Sequence, residues 1–128
     1  MTDASAATDD SAATIAAVDA FNDAFNRHDV DAVMACMTDD AVFESTSPPA
    51  GERHVGADAV RAAWEAFFAA SPTARFDAEE VIAAGDRCIV RWIYTWREDD
   101  GAEGTIHGVD VIRVRGGLVA EKLAYVKG

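Results

Sequence analysis

The sequence is poor in several residue types that would otherwise constrain its class. It has two cysteines, three prolines and only two lysines, Lys122 and Lys127, in 128 residues. No stretch approaches the roughly 20 apolar residues of a membrane span, and the N-terminus lacks the basic and apolar regions of a signal peptide. We therefore expect a soluble cytoplasmic protein. Its length is sufficient to form a hydrophobic core without stabilising disulfides or structural metal ions.

Positive charge is also scarce. Eleven basic residues stand against 23 acidic ones, a formal net charge of -12. The electrostatic field of a protein with this negative charge repels nucleic acid phosphates and anionic membrane surfaces, so we expect neither as a partner. The acid excess is typical of a halophilic protein, whose self-repulsion is screened at high ionic strength. The acid excess therefore indicates a salty habitat and says nothing about the reaction or ligand of the protein.

Motifs for metals, nucleotides and nucleophilic serines are absent. The three histidines show no HxxxH or HExxH spacing, and there is no GxGxxG, GxxxxGK[ST] or GxSxG. We expect neither a metal nor a cofactor. Cys36 and Cys88 lie in an apolar helix pattern and an apolar strand pattern, which favours buried free thiols. A disulfide between them stays open at this point.

Helical periodicity occupies the first half of the chain. Apart from Met1, residues 1–10 contain no large apolar residue, so we expect a disordered segment there and a single domain over 11–128. Apolar residues at three- and four-residue steps predict helices over about 11–27 and 57–70. Asp29 offers an N-cap for a short helix between them, whose apolar pattern runs to Met37.

Strand patterns dominate the second half. A short strand is predicted at 41–46, followed by a loop at "SPPAGER", and further strands at 75–84, 87–98, 104–115 and 118–126. The breaks between the last four are short enough for antiparallel hairpins. In this order the helices come first and are followed by a meander of strands. Such an order indicates an α+β domain whose helices cover one face of an antiparallel sheet.

Alternation within "CIVRWIYTWR" places Trp92, Tyr94 and Trp96 on one face together with Cys88 and Val90. Because the opposite face carries arginines, the aromatic face is predicted to be the inner one. Aromatic side chains there either fill the core or line a small-molecule pocket, since Trp and Tyr bring polar atoms that need partners.

Asp110 interrupts the apolar run of the next strand, "HGVDVIRVRGG". Arg113 and Arg115 mark the outer face, so Asp110 is predicted to point inward. A buried carboxylate must be paired, hydrated or protonated. It is either satisfied by a Trp indole, the Tyr94 hydroxyl or ordered water, or it is a perturbed carboxyl at the floor of a pocket.

Four stretches carry a resemblance, namely "AFNRHDVDAVMACMTDDAVFES", "HVGADAVRAAWEAFF", "GDRCIVRWIYTW" and "GVDVIRVRGGLVAEKLAYV". In this order they are similar to SnoaL-like members of the nuclear transport factor 2-like superfamily, which includes ketosteroid isomerases. The resemblance covers about residues 14–125. It implies a cone-shaped, curved antiparallel sheet with N-terminal helices on its concave face, and a homodimer through the outer sheet face. The fold hosts many activities, so it implies little about function.

The resemblance assigns roles residue by residue. In ketosteroid isomerases an inward aspartate of the penultimate strand stays neutral and donates a hydrogen bond to the developing enolate oxygen, and Asp110 matches it. The tyrosine donor of their first helix corresponds to Phe21, which has no donor. Their general base corresponds to Ser45, preceded by Glu44, and the base of SnoaL-type polyketide cyclases corresponds to Ala124. Both families' bases are therefore missing here.

Two functional hypotheses follow. The first is a small-molecule pocket protein acting as a cofactor-free isomerase, cyclase or lyase by proton transfer on an apolar or aromatic carbonyl compound. Asp110 would be its anchor or acid, His54 (otherwise a rim residue) or Glu44 its proton acceptor, and Ser45 a hydrogen-bonding group. The expected pocket lining is Phe21, Trp64, Trp92, Tyr94 and Trp96. The second is a non-catalytic ligand-binding or dimerisation module, which a filled cone would favour over an open one.

Overall fold

The structure is a computed structural model that describes the backbone of residues 2–127 and the side chains of residues 10–127. In this part of the chain, three helices and six strands follow the order α1 (Thr2–Asn26), α2 (Val30–Ala35), β1 (Met37–Glu44), β2 (Arg53–Val55), α3 (Ala57–Ala70), β3 (Arg75–Ala84), β4 (Arg87–Arg97), β5 (Glu103–Arg115) and β6 (Leu118–Val126). None of the helices described is both long and apolar enough to cross a bilayer.

The helices agree with the sequence prediction except at two ends. α1 begins at Thr2 rather than Ser11, because its Ala-rich start favours helix without an apolar stripe to reveal it. Asp29 caps α2 as predicted, accepting a hydrogen bond from the Ala32 N–H at 3.1 Å. α2 ends at Ala35, so Met37 opens β1 instead of extending the helix. The division into residues 1–10 and 11–128 stays a prediction.

The sheet has the order β2-β1-β6-β5-β4-β3, and β3 to β6 form the predicted antiparallel meander. Each of these four strands matches its predicted bounds to within a residue. β1 lies parallel beside β6, so the curved sheet is mixed rather than purely antiparallel. The prediction failed there because alternation reports which face a residue occupies but not the direction of the neighbouring strand.

The first two strands also differ from the prediction. β1 spans Met37–Glu44 rather than 41–46, so Asp39 and Asp40 are exposed strand residues. β2 is a three-residue strand directly after the loop, antiparallel to β1. It was not predicted because three residues cannot display an alternation. Its effect is to bring His54 opposite Phe43.

The helices pack on the inner face of the sheet, α1 against β3 to β6 and α3 against β1 and β2. As predicted, the inner face of β4 is apolar: Cys88, Val90 and Trp92 are buried, whereas Ile89 and Arg91 are exposed. Two glycines of β5 make room for the indoles of β4. Gly108 lies opposite Trp92, and Gly104 opposite Trp96, and a Cβ at either position would overlap the ring.

Candidate functional site

Two cavities lie on the inner side of the sheet. The larger, here called the mouth cavity, has a volume of about 340 Å³ and lies between α3, β1, β2 and the strands β4 to β6. The smaller, here called the side cavity, has a volume of about 220 Å³ and lies between α1, β3 and β4. Four residues line both: Phe25, Phe76, Trp92 and Lys122.

Asp110 and Lys122 form a buried ion pair where the two cavities meet. Asp110 is 4 % exposed, which confirms its predicted inward direction. The Lys122 Nζ lies 3.4 Å from its Oδ2, and Lys122 is 7 % exposed. On β5 and β6, Asp110 is opposite Ala124 and Lys122 is opposite Ile112, so the two are diagonal neighbours on one face. The partner that the structure gives Asp110 is this ammonium, which was not among the predicted ones, an indole, the Tyr94 hydroxyl or water.

Aromatic rings surround the Lys122 ammonium. Its Nζ lies 5.7 Å from the ring centroid of Phe25, 5.1 Å from that of Phe43 and 5.5 Å from that of Trp64. These are cation–π distances. The ammonium therefore has one carboxylate on one side and an apolar, electron-rich wall on the others.

Sequence reasoning missed Lys122, although a signal was present. In "LVAEKLAYV" the alternation places Lys122 on the same face as Ala120 and Ala124, which is the inner face. Lysine is almost never fully buried unless it is paired. An inward lysine beside an inward aspartate on the neighbouring strand would have predicted this ion pair.

Three polar atoms of the cavity lining have no hydrogen-bond partner among the described residues. They are the indole nitrogens Nε1 of Trp64 and Trp92 and the Oδ1 of Asp110. Each of these atoms has almost no accessible surface, so a ligand or a water molecule reaches it only if the indole ring or the carboxylate moves. Two of the three are donors, and the Lys122 ammonium is a further donor. The charged donor that the mouth-cavity lining offers to an acceptor oxygen of a ligand is therefore the Lys122 ammonium.

The remaining predicted lining residues divide between the cavity walls and the outside. Phe21 is fully buried and lines the side cavity. Tyr94 lines the mouth cavity and stacks on Phe76 at 4.6 Å between centroids. Trp96 lines neither cavity, and its indole donates a hydrogen bond to Glu98 at 2.8 Å. It shares the inner face of β4 but lies near the strand end, so the prediction that it lines the pocket is corrected.

The predicted proton acceptors and the predicted hydrogen-bonding residue Ser45 lie in different environments. His54 lines the mouth cavity, and its ring stacks on Phe43 at 5.7 Å between centroids. Ser45 lines it too, but its Oγ already accepts hydrogen bonds from the Glu52 N–H at 3.0 Å and the Ser47 N–H at 3.3 Å.

Glu44 lines neither cavity. Its Oε2 lies 2.5 Å from Nη1 of Arg53 on β2, whereas its neighbours Phe43 and Ser45 line the mouth cavity. Because successive strand residues point to opposite faces, Glu44 is directed away from the mouth cavity. The prediction of an inward Glu44 is therefore corrected.

The cysteines are not part of this site. Both are free; Cys88 is fully buried, while Cys36 is half-buried. Burial raises the pKa of the Cys88 thiol, and the nearby Asp19 carboxylate raises it further. In the part of the chain that the structure describes, no group of three or more His, Cys, Asp or Glu side chains is arranged to hold a metal ion.

The curved mixed sheet with helices packed on its inner face is the fold of a known family. The family profile described as the SnoaL-like domain matches residues 18–122. The chain belongs to this family, and with it to the nuclear transport factor 2-like superfamily. No curated protein matches the chain.

Solved structures include relatives across nearly the whole length. A nuclear transport factor 2-like protein of unknown function from Mesorhizobium loti is 39% identical, with 92% of this chain and 93% of that one covered and a TM-score of 0.77. A putative polyketide cyclase from Sinorhizobium meliloti is 25% identical, covering 84% and 92%, with a TM-score of 0.70. TerC, co-crystallised with polyporic acid, is 18% identical, covering 90% and 92%, with a TM-score of 0.79, a likeness of fold alone.

Proposed function

We propose that this protein binds a small apolar or aromatic carbonyl compound in the mouth cavity and catalyses proton transfer on it without a cofactor, as an isomerase, cyclase or lyase does. The observation that carries the proposal is the Lys122 ammonium in the lining of an aromatic cavity, where it is paired with Asp110, which lines the adjoining side cavity. A volume of about 340 Å³ falls in the range of small-molecule sites, which start at roughly 300 Å³.

Lys122 takes the role of binding the carbonyl oxygen. When a proton leaves the carbon next to a carbonyl group, negative charge develops on that oxygen, and a preorganised donor in a dry site stabilises it. The Lys122 ammonium has three N–H donors, of which Asp110 occupies one direction. Asp110 thus anchors the lysine through its carboxylate. This differs from the neutral hydrogen-bond donor that the isomerase resemblance implies at the same position.

His54 is the proton acceptor in this proposal. It lines the same cavity as Lys122, and both side chains contact Phe43. A neutral imidazole accepts a proton near physiological pH. Glu44, the other predicted acceptor, is held by Arg53 outside the cavity and has no part in the scheme.

Two proteins of similar structure support this class of ligand. One similar structure is a putative polyketide cyclase, and TerC was crystallised with polyporic acid. Polyketides and acids of this kind carry acceptor oxygens on apolar frames. The Lys122 ammonium on the cavity lining is a donor for such oxygens.

Calorimetric titration with 2-tetralone, an aromatic cyclic ketone, and with 2-naphthol, a phenol, tests the binding step. We expect saturable binding of at least one to the wild type and weaker binding to Lys122→Met. Lys127→Met is the matched control, because Lys127 is exposed and lines neither cavity. Equal heats for wild type and Lys122→Met, with both folded, would contradict the proposal that Lys122 binds the carbonyl oxygen.

A non-catalytic binding module of the same fold is the second candidate. It is favoured by the positions where the family's proton acceptors are absent, since Ser45 is engaged by backbone N–H groups and Ala124 has no functional group. The two candidates differ in one measurement. A module binds the ketone without accelerating hydrogen exchange at the carbons beside its carbonyl.

The homodimer expected from the resemblance also remains a proposal. Ile82 and Ile89 are exposed on the outer face of the sheet, at 52 % and 37 %. Exposed apolar side chains on a continuous sheet face suit an isologous contact. Light scattering of wild type and Ile89→Glu would test it, with a dimer expected for the first and a monomer for the second.

A further inference from the structure

Lys122 carries the one primary amine among the side chains that line the two cavities. We propose that this amine is a nucleophile, and that it condenses with the carbonyl carbon of the ligand to form a covalent iminium adduct. This inference rests on the proposed function, because it takes the same cavity and the same ligand class. It adds a covalent step that oxygen binding by the ammonium does not require.

The position of Nζ suits a nucleophile better than a purely structural ion pair. A buried ion pair is seldom needed for stability, since well-packed apolar residues replace it at little or no cost. This pair lies at the junction of two cavities, with Nζ facing the rings of Phe25, Phe43 and Trp64. A flat aromatic ketone that fills the mouth cavity brings its carbonyl carbon to the one amine there.

Asp110 supplies the proton transfers. Its carboxylate takes a proton from the Lys122 ammonium, and the freed lone pair attacks the carbonyl carbon as the C=O electron pair moves to oxygen. The carboxyl group returns this proton to the oxygen, which gives a protonated carbinolamine. Asp110 then carries one proton from nitrogen to the hydroxyl group, the C–O bond breaks, and water leaves as the C=N bond forms. Ammonium and ketone thus give iminium and water, with no oxidant or reductant.

The charge balance of the site favours this product. One cation faces Asp110 before condensation, and one cation faces it afterwards, so no uncompensated charge is buried. Asp110 lines the side cavity and meets the ligand only beside Lys122, where the two cavities join, and its Oδ1 has no hydrogen-bond partner among the described residues. The iminium group also acidifies the neighbouring carbon, which links the adduct to the proton transfer of the proposed function.

Reductive trapping tests the adduct. The wild-type protein is incubated with 2-tetralone and sodium cyanoborohydride, and intact mass and peptide mapping are recorded. We expect a mass gain equal to the ketone less one oxygen atom, located on Lys122. The sequence has only two lysines, so Lys127→Arg is a matched control that keeps the adduct, and Lys122→Arg, which retains a cation opposite Asp110, loses it.

The outcomes separate this inference from the proposed function. The proposal that Lys122 is a nucleophile is overturned if no modification is found, or if the modification is confined to Lys127 or to the N-terminal amine. If calorimetry shows that 2-tetralone binds the same wild-type sample, only the covalent step is wrong; if it does not bind, the proposed function for this ketone fails as well. Site mapping on the wild type decides the question even if Lys122→Arg does not fold. Asp110→Asn is expected to slow trapping at least tenfold at saturating ketone, because it removes the proton carrier.

Discussion

The Nζ of Lys122 lies 3.4 Å from Oδ2 of Asp110, at the point where two cavities on the inner side of the sheet meet. Strand pairing makes this contact, since the two residues are diagonal neighbours on β5 and β6. The pair places a charged group in the otherwise mainly aromatic lining of the mouth cavity. The proposed chemistry depends on it.

Breaking the pair from one side is expected to destabilise the fold. Lys122→Met leaves the Asp110 carboxylate buried without a partner, which costs about 3–5 kcal/mol of unfolding free energy. The double variant Asp110→Leu/Lys122→Met should recover most of the loss, because an apolar pair of similar volume removes the buried charge. Urea unfolding of wild type, both single variants and the double variant measures the coupling.

An exposed ion pair provides the control for that cycle. Arg97 and Glu103 lie 3.0 Å apart and are both well exposed, and Glu103→Gln is expected to change stability by less than about 1 kcal/mol. A double variant no more stable than Lys122→Met would contradict this assignment of the loss to an unpaired buried charge.

Gly108 is expected to control the position of Trp92. A Cβ at residue 108 would overlap the indole, so Gly108→Ala should displace the ring at a cost of about 1–3 kcal/mol. Because Trp92 lines both cavities, ketone affinity should fall as well. Thr105→Ala, at an exposed position of the same strand, is the control. Unchanged stability and affinity in Gly108→Ala would mean that the indole does not need this space.

The two thiols are expected to differ in reactivity. The pKa of Cys88 is raised by burial and by Asp19, so at neutral pH its thiolate fraction is lower than that of an ordinary cysteine. In the native protein, Ellman's reagent should react with half-buried Cys36 first and with Cys88 only after urea unfolding. The Cys36→Ser variant identifies the faster thiol. Rapid reaction of this variant without denaturant would contradict a buried Cys88.

Salt is expected to stabilise the protein. A net charge of -12 on 128 residues repels itself, and salt screens that repulsion over a Debye length of about 10 Å at 0.1 M and about 3 Å at 1 M. The melting temperature should therefore rise between low and molar sodium chloride. A fall would speak against the halophilic origin predicted from composition.

Particular residues show how far sequence reasoning reached. Alternation alone turned Asp110 inward, because the arginines of the same strand mark the outer face. The same rule turns Lys122 of β6 inward, against the general rarity of buried lysine. Trp96 shares the inner face of β4 yet lies outside both cavities, since alternation does not say where along a strand a cavity ends.

Other features needed the three-dimensional pairing. The parallel contact of β1 with β6 joins segments far apart in the chain, and no local pattern encodes it. The register of β1 decided that Phe43 and Ser45 line the mouth cavity and that Glu44 meets Arg53 instead. A one-residue slip would have exchanged these roles.

Deuterium incorporation into 2-tetralone in D₂O tests most directly whether the Lys122–Asp110 site performs proton transfer. We predict that the wild type accelerates exchange beside the carbonyl above the buffer rate. Lys122→Met, with folding verified by circular dichroism, should lose on the order of 100-fold of that acceleration. Lys127→Met should behave as wild type. A wild-type rate equal to buffer, or equal acceleration by folded Lys122→Met, would contradict the account.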